Sequence, residues 1–245
     1  MTTDAVSFVI PARNEADAIA WVVRECVRVG QARQGPFEVI VVDDDSRDDT
    51  AARVERLAAE APNVRLLRHA QQCGIAQTTH DGLEAARHPV ICYVDGDGQF
   101  DPSAFTLLLH HLDSADFVVG WRRSRAERGV RRLGSTVYNG CTRAIGVPVH
   151  DVNCGFRALR REAFDAVRRD VRARSSFYFA ELTLAVLQRG YRVREVAVPH
   201  HPRRGGVASG AGMALVASQF LDLARYAVSA GRRHPDASRS PSSDG

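Results

Sequence analysis

Short apolar runs alternate along this chain with longer amphipathic stretches, the pattern of βα units that assemble a mainly parallel sheet. Val6–Ile10 predicts a first strand ending at Pro11, and Ala16–Val29 the helix that follows it. Phe37–Val42, Val64–Leu67 and the wholly apolar Val90–Val94 predict the next three strands, with helices over Thr50–Ala61 and Ile75–Ala86 between them. A helix beginning near Pro102 leads into a fifth strand, Phe117–Gly120. The rhythm then changes. Residues 122–132 carry Arg122, Arg123, Arg125, Arg128, Arg131 and Arg132. Leu133–Ile145 predicts a helix, Asn153–Leu159 a strand, Phe179–Gln188 a helix and Tyr191–Val198 a last strand. A Gly/Arg-rich loop covers 202–212, and Leu215–Val228 predicts an amphipathic helix. The Arg/Ser/Pro-rich end from residue 231 has the composition of a disordered tail. The expectation is one α/β domain over residues 1–210, a C-terminal amphipathic helix at 211–230 and a tail at 231–245.

Composition narrows the class. With 245 residues, 44% hydrophobic and 25% charged, the chain can bury a sizeable core and is not dominated by disorder. The net charge is only +4, and no Lys occurs, so every strongly basic side chain is a planar, phosphate-matching Arg. These Arg residues are not interleaved with stacking aromatics, which argues against nucleic acid as a partner. Five scattered Cys without a CxxC pair suit reduced thiols and a cytoplasmic location. The start, MTTDAVSFVIPARNE, lacks the pattern of a signal peptide, and no run reaches the roughly 18 apolar residues of a membrane span. Peripheral contact with a membrane face remains open through the Arg-rich segment and the last helix.

The sharpest chemical signal follows the fourth strand: Tyr93-Val-Asp95-Gly-Asp97-Gly-Gln99-Phe-Asp101-Pro. Carboxylates at positions 95 and 97 can face one point where the chain turns, with Gly96 and Gly98 freeing the turn. Such oxygen ligands suit Mg²⁺ or Mn²⁺, which complete their shells with substrate phosphates. Asp101, before Pro102, reads as a helix cap. A second acidic cluster, Asp43-Asp44-Asp45-Ser46, closes the second strand, and Ser46 with Asp49 resembles a capping box. Asp43 and Asp44 precede that cap, where open α/β sheets bind ligands, and Pro11–Glu15 borders the same crevice. No GxGxxG follows the first strand and no GxxxxGK[ST] occurs, so a dinucleotide site and a P-loop are both disfavoured. The pair His200–His201 with Cys141 and Cys154 lacks zinc-site spacing.

Taken in order, Val9-Ile-Pro11-Ala-Arg13-Asn14-Glu15, then Val42-Asp43-Asp44-Asp45-Ser46 with Asp48 and Thr50, Asp95-Gly-Asp97-Gly-Gln99 and Asp151-Val-Asn-Cys-Gly155-Phe156-Arg157 resemble one family. They are similar to the family 2 glycosyltransferases of GT-A fold, in the branch of dolichol-phosphate mannosyltransferase and other polyprenyl-phosphate glycosyltransferases. The resemblance covers about residues 5–210. It implies a Rossmann-like, mostly parallel central sheet flanked by helices, and an inverting, metal-dependent hexosyl transfer from a nucleoside diphosphate sugar, GDP-mannose or a UDP-hexose, to a polyprenyl phosphate. It places Pro11, Arg13, Glu15 and Asp44 around the base and ribose. Asp95, Gly96, Asp97 and Gln99 form the metal and diphosphate site, with Mg²⁺ or Mn²⁺ on Asp95, Asp97 and Gln99. Arg123 and Arg131 are the preferred phosphate binders of the Arg-rich stretch, and Arg203 or Arg204 closes over the diphosphate. Asp45 departs from the pattern, standing where the family often has Gly or Asn. Gln72-Cys73-Gly74-Ile75-Ala76 matches the usual turn only in part, and the membrane helices of many relatives are absent.

An ionised lipid phosphate needs no general base, whereas a hydroxyl acceptor does, and Asp151 is the candidate. A soluble hydroxyl acceptor is thus the competing reading. A sugar-phosphate nucleotidylyltransferase is disfavoured because Pro11–Glu15 is not its Gly-rich loop, and a catalytically dead nucleotide-binding module because Asp95, Asp97 and Gln99 are intact.

Overall fold

The computed structural model describes residues 4–122, 130–175, 177–205 and 213–233, with backbone alone at 130–136, 213–216 and 229–233. Seven strands form one sheet: β1 (Val6–Ala12), β2 (Phe37–Asp43), β3 (Val64–Arg68), β4 (Val90–Val94), β5 (Phe117–Arg122), β6 (Phe156–Arg160) and β7 (Val193–Val198). Their order across the sheet is β3-β2-β1-β4-β6-β5-β7. β6 alone runs against its neighbours, antiparallel to both β4 and β5, while the other pairings are parallel. The carboxyl ends of β1, β2, β4 and β5 therefore share one edge with the amino end of β6.

Helices cover both faces: α1 (Ala16–Ala32), α2 (Thr50–Glu60), α3 (Ile75–Ala85), α4 (Phe105–His111, after a 3₁₀ turn at Pro102–Ala104), α5 (Val130–Ala144), α6 (Arg161–Val167), α7 (Tyr178–Gln188) and α8 (Met213–Arg233). Side chains alternate across the pleat. Phe8, Ile10, Val39, Val41, Cys92 and Val94 meet α1, α2 and α4 on one face. Val9, Ile40, Val42, Ile91 and Tyr93 meet Leu83 of α3, Phe164 of α6 and Phe179 of α7 on the other. In α1, Ile19, Val22, Val23, Cys26 and Val29 supply the buried stripe at helical spacing.

Several expectations change in detail. β1 runs through Pro11 to Ala12, one residue short of Arg13, and β6 starts at Phe156 rather than Asn153. The seven-residue α6 was not expected, since it holds fewer than two turns of periodicity. α8 continues to Arg233, past the expected start of the tail; residues 234–245 lie outside the described residues. Asp101 does cap, accepting Ser103 N–H at 2.8 Å. The capping box of Ser46 and Asp49 does not form. Ser46 Oγ instead accepts Asn14 N–H at 2.9 Å, and Asp48 takes the Thr50 N–H at 3.0 Å. Tertiary ties to the β1–α1 turn outcompete the local cap.

Candidate active site

β4 lies at the centre of the sheet, between β1 and β6, and delivers the acidic turn to the shared edge. Gly98 has φ +72°, a left-handed value that favours Gly. Gly96 is needed for closeness rather than for φ, because a Cβ there would sit 2.9 Å from the Pro11 carbonyl oxygen. Asp95 donates its N–H to the Gly155 carbonyl at 3.0 Å, and its Oδ1 accepts the Tyr93 hydroxyl at 2.9 Å. Asp97 Oδ1 accepts the Gln99 N–H at 3.0 Å. Gln99 ties the turn to the loop after β7: its Nε2 donates to the His201 carbonyl at 3.3 Å and its own carbonyl accepts His201 N–H at 2.8 Å.

Asp95 and Asp97 are half-buried and reach an open edge. Burial pushes the carboxyl pKa of both upward, and the charge of Asp97 adds to the rise at Asp95. The Tyr93 hydroxyl bond and the charges of Arg157 and Arg122 oppose it at Asp95. Two carboxylates and an amide oxygen are, by their chemistry, a donor set that suits a hard divalent ion.

The loop after β7 brings the expected late Arg residues, and they part ways. Arg203 Nη1 lies 3.2 Å from Asp97 Oδ2, its Nη2 meets the Glu15 carboxylate, and its Nε donates to the Gly205 carbonyl at 2.9 Å. Arg204 lays its stem over Gly98 of the turn, where a Cβ would lie 2.8 Å from its Cδ, and its guanidinium carbon is 3.7 Å from the centroid of Trp21 on α1. Arg203 is thus the one whose guanidinium meets the carboxylates. Burial, first, and then the charges of Asp97 and Asp95 raise the Glu15 pKa to about 7 against the opposing pull of Arg203.

One strand over, the β1–α1 and β2–α2 turns interlock. Asn14 and Asp45 take φ near +55°, which explains why Gly or Asn suits position 45. Glu15 N–H donates to Thr50 Oγ1 at 2.8 Å and Ala16 N–H to Asp48 Oδ2 at 3.1 Å. Asp44 is buried, and its Oδ1 accepts from Cys73 N–H at 2.7 Å and His69 Nδ1 at 2.9 Å. Its Oδ2 accepts Gly74 N–H at 2.9 Å. His69 Nε2 in turn meets Asp81 at 3.1 Å. Burial is the largest single influence on the Asp44 carboxyl and pushes its pKa up, but these bonds together outweigh it and hold the carboxylate below its usual range. Arg13 follows β1 with a buried Nε that has no hydrogen-bond partner among the described residues.

At the end of β5, Arg122 is held by Asp151 in a two-pronged pair, Nε to Oδ2 at 2.7 Å and Nη2 to Oδ1 at 2.8 Å. Glu195 of β7 fixes the backbone that carries Asp151, accepting the N–H groups of His150 at 2.7 Å and Asp151 at 3.0 Å. Asp151, the expected base, therefore has both oxygens engaged by a guanidinium, the arrangement of a group that positions Arg122. Arg123 lies outside the described residues, and so does the side chain of Arg131, whose backbone belongs to α5. Sequence reasoning gave no role to Tyr93, Trp21 or Arg157, and took Arg122 only as one of the Arg-rich stretch. Arg157 is buried beneath the turn, its guanidinium carbon 3.7 Å over the Phe179 ring and its Nε bonded to the Cys154 carbonyl at 2.9 Å. The one signal that could have found it is its place in the Gly155-Phe156-Arg157 motif.

Comparisons with known proteins bear on the family and the fold. Over 207 residues the chain is 32% identical to the glycosyltransferase AglD of Haloferax volcanii, covering 81% of this chain and 33% of AglD. It is 30% identical over 220 residues to the undecaprenyl-phosphate 4-deoxy-4-formamido-L-arabinose transferase of Pseudomonas fluorescens, covering 88% of this chain and 62% of that protein. The chain thus spans a third of the one relative and less than two thirds of the other. The crystal structure of glucosyl-3-phosphoglycerate synthase from Mycobacterium tuberculosis in complex with uridine diphosphate superposes with TM-score 0.71 at 20% identity, covering 91% of this chain and 79% of that one, and shares its fold. Among the described residues no helix is long and apolar enough to cross a membrane. The family model for glycosyl transferase family 2 matches residues 7–168, well over half of the sequence, and the chain belongs to that family.

Proposed function

We propose that this glycosyltransferase moves a hexose, with inversion, from a nucleoside diphosphate sugar to a polyprenyl phosphate. The observation that carries the reading is the Asp95–Asp97 pair at the end of β4, flanked on one side by Arg203 and on the other by Arg122. Asp95, Asp97 and Gln99 would hold Mg²⁺ or Mn²⁺, which would supply positive charge to the departing diphosphate. Arg203 adds a second cation where that charge develops, and Asp95 is kept in place by Tyr93. Arg122, fixed by Asp151, is the group that orients an anionic acceptor. An acceptor phosphate is already ionised, so attack needs no base, in keeping with the engagement of both Asp151 oxygens. The polyprenyl acceptor is supported by relatives such as the undecaprenyl-phosphate transferase, and contact with a membrane face follows from such a substrate.

Asp44 favours a uracil donor, a UDP-hexose over GDP-mannose. A carboxylate offers about four acceptor positions, and three are taken by His69, Cys73 and Gly74. The one remaining matches the single ring N–H of uracil. Guanine presents an N–H and an adjacent amino group and calls for two.

Incubating the protein with radiolabelled UDP-hexose, Mn²⁺ and polyprenyl phosphate tests the reading. Label extractable into organic solvent is the expected product, and Asp97→Ala should abolish it without loss of the fold. Label transferred only to water-soluble hydroxyl acceptors would overturn the lipid-phosphate reading, and full Asp97→Ala activity would overturn the metal site.

A further inference from the structure

The acidic turn already carries a cation of the chain's own. Arg203 reaches Asp97 with one terminal nitrogen and Glu15 with the other, and its side chain is only 19% exposed. We propose that Arg203 is a placeholder for the divalent ion: it screens Asp97 and Glu15 until a donor arrives, then exchanges both carboxylates for the donor diphosphate. This rests on the reading of Asp97 as a metal ligand. A guanidinium hydrogen-bonded to Asp97 Oδ2 and a divalent cation on the same carboxylate repel each other, so the ion alone must work against Arg203. A diphosphate changes the balance, because it offers the planar fork of Arg203 two oxygens of matching geometry and higher charge. Glu15, released in the same event, becomes an acceptor for a nucleotide hydroxyl. Metal and donor thus load together, and the metal alone loads poorly.

The loop has ties that do not involve the Arg203 side chain: the His201–Gln99 pair, the Arg204 N–H on the Asp97 carbonyl and Arg204 on Trp21. The swing gives up the Nε bond to the Gly205 carbonyl, while these ties keep the loop against α1 and the turn.

The test measures Mn²⁺ binding by paramagnetic resonance in wild type, Arg203→Met, Arg203→Lys and Asp97→Ala, each with and without UDP. Without nucleotide, Arg203→Met should bind Mn²⁺ about tenfold more tightly than wild type. Arg203→Lys, which keeps a charge but cannot bridge both carboxylates, should fall between the two. In wild type Mn²⁺ and UDP should each tighten the other, and that coupling should shrink in Arg203→Met. Unchanged or weaker Mn²⁺ binding in a folded Arg203→Met, or undiminished coupling, overturns the exchange. Binding that is equal in wild type and Asp97→Ala, with or without UDP, removes Asp97 as a ligand and the proposal with it.

Discussion

Gly155→Ala is the most direct probe of the acidic turn from outside it. A Cβ built on Gly155 would lie 1.7 Å from Asp95 Oδ2, 2.2 Å from its Cγ and 2.8 Å from Oδ1. Something must yield. β6 is hydrogen-bonded along both sides, with Phe156 paired to Val94 and Arg157 to both Tyr93 and Val119, so the strand cannot recede alone. The carboxylate of Asp95 is the part that can rotate, and in doing so it gives up the Tyr93 hydroxyl. That bond, to a charged acceptor, contributes about 1.5–3 kcal/mol, and the added methyl costs about 1–3 kcal/mol in overpacking. At roughly 2–4 °C per kcal/mol for a chain of this size, Tm should fall on the order of 10 °C. A displaced ligand should lower kcat about 100-fold and weaken Mn²⁺ binding in parallel. Gly140→Ala is the control: it sits in α5 with nothing within 4 Å of its would-be Cβ, and should leave activity intact while raising stability slightly. Thermal unfolding, Mn²⁺ resonance and donor turnover on both variants give the answer. Wild-type Mn²⁺ affinity and kcat in Gly155→Ala would refute the placement of Asp95 at the reacting centre.

Three further outcomes are expected. The Glu15 pKa is raised from 4.5 to about 7, so its contribution to stability is complete below pH 4.5 and gone above 7, and Asp95 shifts in the same direction. Without added metal Tm should therefore decline across that window, whereas the gain in Tm from Mn²⁺, which prefers ionised carboxylates, should be larger near pH 8 than near pH 5.5; a larger gain at the lower pH contradicts the site. Asp151→Asn should raise the KM for polyprenyl phosphate about tenfold by loosening Arg122, with kcat reduced much less; a kcat loss of about 1,000-fold at unchanged KM would instead mark Asp151 as a base. Trp21→Ala removes the ring beneath Arg204, an interaction of about 0.5–2 kcal/mol, and should raise the donor KM several-fold; an unchanged donor KM would show that the loop needs no such anchor.

Much of the architecture was readable because the first four strands and their helices repeat apolar spacing without interruption. Val90–Val94 was placed to the residue. Strand direction is another matter: the pattern of Asn153–Leu159 says nothing about which way a strand runs, and β6 proved antiparallel. The choice between Arg203 and Arg204 could not be made locally, since it depends on Trp21 and Glu15, close in space but remote in sequence. Asp151 reads as an acid in the sequence, and only its pairing with Arg122 reveals how that acidity is engaged. Gly155 looked like one member of a motif, whereas its missing side chain is room for the Asp95 carboxylate.

The reversed strand has one more implication. In a wholly parallel sheet each strand can offer the cleft only what comes after it; β6 instead offers what comes before it, the stretch Asp151–Gly155. Its register is therefore under unusual pressure. A single-residue deletion in that stretch would exchange the faces of Phe156 and Arg157, sending an aromatic toward the α7 layer and a guanidinium into the stack with Phe100 and Phe105. The loops at the opposite edge of the sheet carry no such constraint, but this short approach run should tolerate neither gain nor loss.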